Sequence, residues 1–421
     1  MTPSEPRGNV SLRSVLTDPL VGPIVALVFI LLAGLGLALP IIPLFARSFG
    51  VDYGGTGVMI GAFGFGRLFG DLIGGSIVDR RGERWSAVLG MAGLAVCATA
   101  TALAPNFAVA VLLWGLSGVW SAINFAALFS FILKAAPAGS TGRTLSFFFG
   151  AFNIGVIVGG AIGGNVADAF GLKSPLFAYS GILVLSILFY LRFVPDLPAR
   201  STDPGVAAEA GLIETSTVPS PIPSKRFVRE FLRVPGFSAA LVLNLAYLWV
   251  VAAVFNTLLA LYAKDHLGMS TTGIGAVYAV AVAAEFVVLF PAGSWADRYG
   301  RKAVLVPSML ALSATIAVLG WASTPVLLGG MLALVAFASG FAGVPPAAML
   351  SDVVPTENSG RAVGAFRFCG DIGFFLGPLV AGAVGDAYGF KAAFAVSAIP
   401  PFLAFLMMLR VAETLKKTES R

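Results

Sequence analysis

Five charged residues stand inside stretches that are otherwise apolar: Arg67 and Asp71, Glu285, and Arg367 and Asp371. A charge in hydrocarbon is expensive, so such groups face a partner or a water-filled path. A carboxyl that trades its proton as its surroundings change can couple a proton gradient to the movement of something else. Arg67 and Asp71 are four apart, as are Arg367 and Asp371, so each pair shares a helical face and can neutralise itself. Glu285 has no basic residue in its own stretch. It is therefore the first candidate for proton coupling, with Asp371 second and Asp71 third. Arg67 and Arg367 are then the charge partners, holding a deprotonated acid in one state and releasing it in another. The same five charges would also serve as a static ion network that ties helices together.

The stretches that carry these groups are long enough to cross a bilayer. The chain has 421 residues, 57% hydrophobic and only 11% charged, and its mean hydropathy is +0.91. That balance excludes an ordinary soluble domain and fits a multi-pass membrane protein. Apolar spans are expected near 20–46, 55–78, 85–104, 107–133, 144–167 and 175–194. Six more are expected near 237–262, 272–293, 303–323, 326–351, 362–384 and 391–410. The domain reading is a tail at 1–19, a six-helix bundle at 20–194, a linker at 195–235, a second bundle at 236–410 and a tail at 411–421. The linker is rich in Pro, Ser and Glu.

With an even number of spans, both termini lie on one side. Placing the termini, the linker and two basic hairpins in the cytoplasm leaves only Arg47, Lys173, Lys264 and Lys391 on the other side. The formal charge of +6 is thus a matter of topology and not a nucleic-acid signal. The first span is too long for a cleavable leader and lacks a convincing cleavage site. Cys97 and Cys369 lie inside apolar runs, where no disulfide is expected, and His266 reads as a loop residue. No metal-ligand cluster, nucleophile triad or phosphate loop is visible. Gly64-x-Gly66 has no strand before it, which argues against a dinucleotide loop. Neither an enzyme nor a cofactor is expected.

The two basic hairpins are Gly75-Ser-Ile-Val-Asp79-Arg80-Arg81-Gly82-Glu83-Arg84 and Gly293-Ser-Trp-Ala-Asp297-Arg298-Tyr-Gly300-Arg301-Lys302. The offset between them is 293 − 75 = 218, and the same offset carries Pro137 to Pro355, Arg143 to Arg361, Gly159 to Gly377 and Asp168 to Asp386. Two halves in the same orientation are parallel repeats about an axis along the membrane normal.

Twelve spans in two sets of six, with this hairpin after spans 2 and 8, resemble the major facilitator superfamily over nearly the whole chain. The expected fold is an all-α membrane protein of twelve transmembrane helices, built as two parallel six-helix repeats. Two stretches resemble the drug:proton antiporter branch. Span 1 ends in Pro40-Ile-Ile-Pro43, and span 5 carries Gly155-x-x-x-Gly159-Gly160-x-x-Gly163-Gly164. The branch has Pro where this chain has Gly160; here the proline appears in span 11, as Gly377-Pro378.

The resemblance implies that spans 2 and 11 face each other across the halves. At about 1.5 Å per residue, Asp71 lies roughly 12 Å from Asp79 along its helix, and Arg367 roughly 9 Å from Arg361. Antiparallel helices then set Asp71 against Arg367 and Arg67 against Asp371. The offset also sets Arg67 level with Glu285 (285 − 67 = 218). The resemblance further implies a central cavity lined by spans 1, 4, 7 and 10. Trp120 and Asn124 of span 4, with Asn244, Tyr247 and Asn256 of span 7, are the candidates to meet an amphipathic substrate. Interfacial aromatics and helix–helix contacts are the alternative for each. The hairpin residues Gly75, Asp79, Arg80, Gly82, Arg84, Gly293, Asp297, Arg298, Gly300 and Arg301 read as a cytoplasmic gate.

The function expected is secondary active transport, as proton-coupled efflux of small amphipathic organic molecules by a monomer. A metabolite importer or facilitator of the same fold is the alternative, and a non-transporting membrane receptor is a third. The partners expected are the substrate, protons and the lipid bilayer.

Overall fold

The structure, a computed structural model, describes residues 18–136, 141–195, 231, 234–355 and 359–415, without the side chains of 141–143, 290 and 359–360. Almost all of the expected 195–235 linker, most of both tails, Pro137 and the Arg143 side chain lie outside the described residues.

Among the described residues, ten helical stretches are long and apolar enough to span a membrane, and two of them are 50 residues long. Each long one is broken at a glycine with left-handed φ, Gly82 at 76° and Gly389 at 79°, so the stretches resolve into twelve segments. In chain order the segments are α1 (Val21–Arg47), α2 (53–81), α3 (83–102), α4 (Phe107–Ala135), α5 (Thr141–Phe170) and α6 (Ser174–Phe193). The second set is α7 (Pro235–Asp265), α8 (Thr271–Tyr299), α9 (Arg301–Leu319), α10 (Pro325–Val353), α11 (359–388) and α12 (390–410).

The backbone repeats as the sequence does. Left-handed φ occurs among the described residues only at glycine, and these glycines fall into three pairs: Gly50 with Gly268, Gly82 with Gly300, and Gly171 with Gly389. Each pair is 218 apart (268 − 50 = 218). A side chain at Gly82 or Gly300 would be strained, which fixes glycine at the tight turn between α2 and α3 and between α8 and α9. The helix caps repeat too. Asp52 and Ser270 accept from the amides of Gly55 (2.7 Å) and Gly273 (3.1 Å), and Asn106 and Thr324 from those of Val109 (3.0 Å) and Leu327 (3.2 Å).

Small residues set the packing, because helices in lipid associate through close backbone contact. Gly155, Gly159 and Gly163 of α5 lie against the α1 backbone at Phe29, Ala33 and Leu37. Gly66 and Gly70 of α2 lie against Gly115 and Val119 of α4. Across the halves, Gly57 and Gly61 of α2 meet Pro378 and Phe375 of α11, and Gly160 and Gly164 of α5 meet Gly275 and Thr271 of α8. Each half also has its own apolar core, around Phe45, Met59 and Phe131 in the first and Tyr262, Leu305 and Phe394 in the second. Large apolar side chains such as Phe69, Leu112, Val287 and Leu334 are exposed and form the surface that lipid would cover.

α7 and α10 depart from regular geometry, as α1 does at 39–41 and α12 at Ala398. α10 is interrupted at Val344, just before Pro345-Pro346, where the missing amide donor breaks the ladder. In α7, Val251–Leu258 forms a π-helix, and the Thr257 hydroxyl donates to the Ala252 carbonyl five residues back (2.8 Å). Such segments are frequent at functional sites.

Candidate functional site

The buried charges join α2 to α11. Arg67 Nε donates to Asp371 Oδ1 at 3.1 Å, and Arg367 grips Asp71 with Nη2 to Oδ1 at 2.7 Å and Nε to Oδ2 at 3.3 Å. Antiparallel packing through Gly57, Gly61 and Gly64 brings the backbones close enough for this crossing. Each arginine thus pairs across the interface with the acid of the opposite helix; the ion pairs of the described residues do not run along either helix. The Arg367 guanidinium also lies over the Phe125 ring of α4, 4.9 Å from its centroid. Asp371 is the most enclosed member, with its side chain 1% exposed and Oδ2 without a hydrogen-bond partner.

Glu285, level with Arg67 by the offset, is not part of that network. It sits on α8 between α7 and α10, half-buried. Its Oε1 accepts from the Tyr247 hydroxyl of α7 (2.9 Å) and from the Ser339 hydroxyl of α10 (3.1 Å). No cation forms an ion pair with it among the described residues. Two turns away on α8, the Tyr278 hydroxyl reaches Asn256 Oδ1 in the π-helix at 3.4 Å. The cluster Glu285–Tyr247–Ser339, continued by Tyr278–Asn256, is polar chemistry held on three helices of one half. Hydroxyl donors steady an ionised carboxylate without neutralising it, and they leave the second oxygen for a proton or a ligand group.

The other cavity candidates lie elsewhere. The Trp120 ring covers Gly93 of α3, Asn124 packs against Gly90 of the same helix, and Asn244 donates to the Phe366 carbonyl at 2.7 Å beside Gly370 of α11. These three make helix–helix contacts, α4 to α3 and α7 to α11. Only Tyr247 and Asn256 join the Glu285 cluster. Gly377 packs on Trp249 and Ala253 of α7, and Pro378 on Gly57.

At the hairpin end, polar networks tie each half to itself. Glu83 accepts from Lys134 and from the Ser130 hydroxyl (2.9 Å). Arg301 pairs with Asp297 and with Asp352 (3.2 Å). Arg84 donates to the Leu191 carbonyl at 3.1 Å, and Lys302 to that of Leu409 at 2.8 Å. Glu413 accepts from the amides of Arg301 (2.9 Å) and Lys302 (3.0 Å). Arg80, Asp297 and Arg298 are exposed, Gly75 and Gly293 half-buried. Sequence reasoning missed Tyr278, Ser339, Glu83, Lys134 and Asp352 as site residues. The signal for two of them was present, since 134 + 218 = 352 and the charges at those positions are opposite.

A family model described as Major Facilitator Superfamily matches residues 24–283 and 248–421. An uncharacterized MFS-type transporter of Methanocaldococcus jannaschii is 24% identical over 377 residues, covering 88% of this chain and 92% of its own. The quinolone resistance protein NorA of Staphylococcus aureus is 22% identical over 364 residues, covering 86% and 88%. In fold, the chain matches the crystal structure of the nucleoside transporter NupG with a TM-score of 0.75 at 16% identity, over 92% of this chain and 98% of that one. With two six-helix repeats, the paired hairpins and a family match along almost its whole length, this chain belongs to the Major Facilitator Superfamily and is a multi-pass membrane transporter, not an enzyme.

Proposed function

We propose that this transporter is a proton-coupled exporter of small amphipathic organic molecules, resident in the cell membrane and active as a monomer. Bundles 20–194 and 236–410 rock about a midplane site, with both termini and the hairpin end in the cytoplasm. The observation that carries the reading is Glu285, a half-buried carboxyl with two hydroxyl donors and no cation among the described residues. Desolvated and without a cation to neutralise it, that carboxyl is suited to take a proton in one state and give it up in another. Tyr247, Tyr278 and Asn256 form the adjoining face for a substrate with aromatic and polar parts. Asp371 and Asp71, each held by an arginine from the opposite half, come after Glu285 as coupling candidates. Asp79 and Asp297 are gate residues at the hairpin end. The name of the relative NorA, quinolone resistance, supports an organic substrate of this kind.

The Gly160 position favours one second reading. Gly160, where the antiporter motif has proline, packs on Tyr278 and Gly275 across the halves, and the departure is compatible with import of a metabolite. One assay separates the two: purified protein in proteoliposomes, a quinolone as probe, and a pH gradient imposed in either sense. Export coupling predicts accumulation of the probe against its gradient on the acidic side, with dissipation of the proton gradient. Movement that follows the probe's own gradient and ignores pH would overturn it.

A further inference from the structure

The end of the molecule opposite the hairpins carries a pair of contacts that the proposed function does not use. Asp168 ends α5, three residues before Gly171, and its carboxylate reaches across to the start of α8 in the other half. It accepts from the Thr272 amide at 2.8 Å and from the hydroxyls of Thr271 and Thr272. Asn165, one turn back, accepts from the Thr272 hydroxyl at 3.2 Å. Asp386 ends α11, three residues before Gly389, and reaches across to the start of α2. Its two oxygens take the amides of Tyr53 at 2.9 Å and Gly54 at 2.6 Å.

These are one device made twice. The donors and the acceptors are both related by the repeat, 386 − 168 = 218 and 271 − 53 = 218. So are the glycines that let the backbones close in. A Cβ on Gly164 would overlap the Thr271 carbonyl, and one on Gly382 would overlap the Tyr53 carbonyl. Each carboxylate supplies acceptors for amides that a helix start leaves without intrahelical partners, and each sits at the positive end of that helix. Ordinarily the cap comes from the same chain segment, as Asp52 and Ser270 do here. The second cap, from the other half, exists only while the two halves touch at this end.

We propose that Asp168 and Asp386 are a matched pair of gate latches. Each closes the far end by capping a helix of the opposite half, and both must release before the transporter opens there. The inference rests on alternating access between two halves and is independent of the export direction and of which carboxyl carries the proton. When the far end opens, the amides of Tyr53, Gly54 and Thr272 pass to water, so the latches bias the equilibrium without locking it.

The test is a distance measurement on the full chain, reconstituted without substrate or gradient. In a background with Cys97→Ala and Cys369→Ala, spin labels go on Pro105→Cys and Ser323→Cys, exposed positions in far-end loops of opposite halves. A second labelled pair, Arg81→Cys and Tyr299→Cys, reports the hairpin end. Asp168→Ala and Asp386→Ala should each raise the far-end-open population relative to the closed one by about fivefold, and the double variant by about twentyfold. The hairpin-end distance should shorten in step. Asp52→Ala removes a cap from the same helix as Asp386 serves, but within one half, and should leave both distances unchanged. It also reports whether the helix start merely loses stability. Unchanged distances in both Asp→Ala variants, an effect from only one of them, or an equal shift in Asp52→Ala would each overturn the proposal. A failure of gradient-driven transport would not move these distances, so the proposed function and the latches stand or fall separately.

Discussion

At position 83 the first half carries an acid, Glu83, and at the matching position the second half carries a base, Arg301 (301 − 83 = 218). Their partners are reversed as well, Lys134 in the first half and Asp352 in the second. The bond joins the same two places in each half, the start of the helix after the hairpin and the end of the next one. What the repeat preserves is therefore a neutral pair at that joint, with the sign left free. The neighbouring position behaves differently. Arg84 and Lys302 are both basic and both donate to a carbonyl at the end of the last helix of their half, Leu191 and Leu409. A carbonyl can only accept, so the sign there cannot flip.

The two joints are also unequal in strength. Asp297 has Arg301 four residues on and pairs with it; Asp79 has Glu83 four residues on, a like charge. The Arg301 side chain is 9% exposed and shared by two acids, whereas Lys134 is 44% exposed and meets Glu83. Truncating Arg301 should therefore hurt far more than truncating Glu83. Arg301→Ala leaves the largely enclosed Asp352 without its cation, while Asp297, 69% exposed, passes to water; the effect is about 2 kcal/mol, and transport should fall at least tenfold. Glu83→Ala loosens a more solvated pair, an effect of about 1 kcal/mol or less, with transport within about threefold of the unsubstituted protein. Thermal unfolding and initial transport rates would check both; equal losses would mean that the two joints are equally strong.

Transplanting the polarity of the second half onto the first separates pairing from sign. Glu83→Arg alone sets two cations together and should cut transport roughly five- to tenfold. Adding Lys134→Asp rebuilds the joint with the sign of Arg301–Asp352, beside the basic partner four residues on that Glu83→Arg already gives Asp79. The double variant should recover to within about twofold. A double variant no better than the single one would mean that the sign matters as well as the pairing.

The smallest effect concerns the extra support in the second half, since the position matching Glu413 in the first is Pro195. Burial raises the proton affinity of Glu413, but amides of Leu415, Lys302 and Arg301 outweigh it and hold the carboxyl below its ordinary value of 4.5. Its stabilisation is thus full above pH 4.5 and is lost as the pH falls through the lower folded value. Glu413→Gln should remove this part of the acid sensitivity, a change of less than about 1 kcal/mol. Melting curves on either side of that window would show it, and an unchanged acid slope would contradict it.

Much of this architecture was legible in the sequence because it depends on distance along helices. A constant rise per residue sets Asp71 level with Arg367, and the side chains meet there. The offset of 218 read from the hairpins reappears in the left-handed glycines and the caps. Rotation about a helix axis was not legible. A span that is apolar on every face gives no sign of which side a residue points to, so nothing in the sequence says that Trp120 and Asn124 pack against Gly93 and Gly90 of α3. The π-helix at Val251–Leu258 was equally hidden, since it is a shift in hydrogen-bond register with no composition of its own. The latches were visible only as landmarks: Asp168 and Asp386 were on the matched list, but nothing local says that a carboxylate caps a helix in the other half.

The same sign reversal recurs at mid-depth, where Arg67 pairs across the halves and, among the described residues, Glu285 meets only hydroxyls. Glu285→Gln probes that difference. The measurement compares gradient-driven accumulation of a quinolone with its substrate–substrate exchange, both in proteoliposomes holding either the unsubstituted protein or the variant. Glu285→Gln should lose gradient-driven accumulation at least tenfold while exchange stays within about threefold. Full gradient-driven accumulation by the variant would contradict it and transfer the coupling role to Asp371.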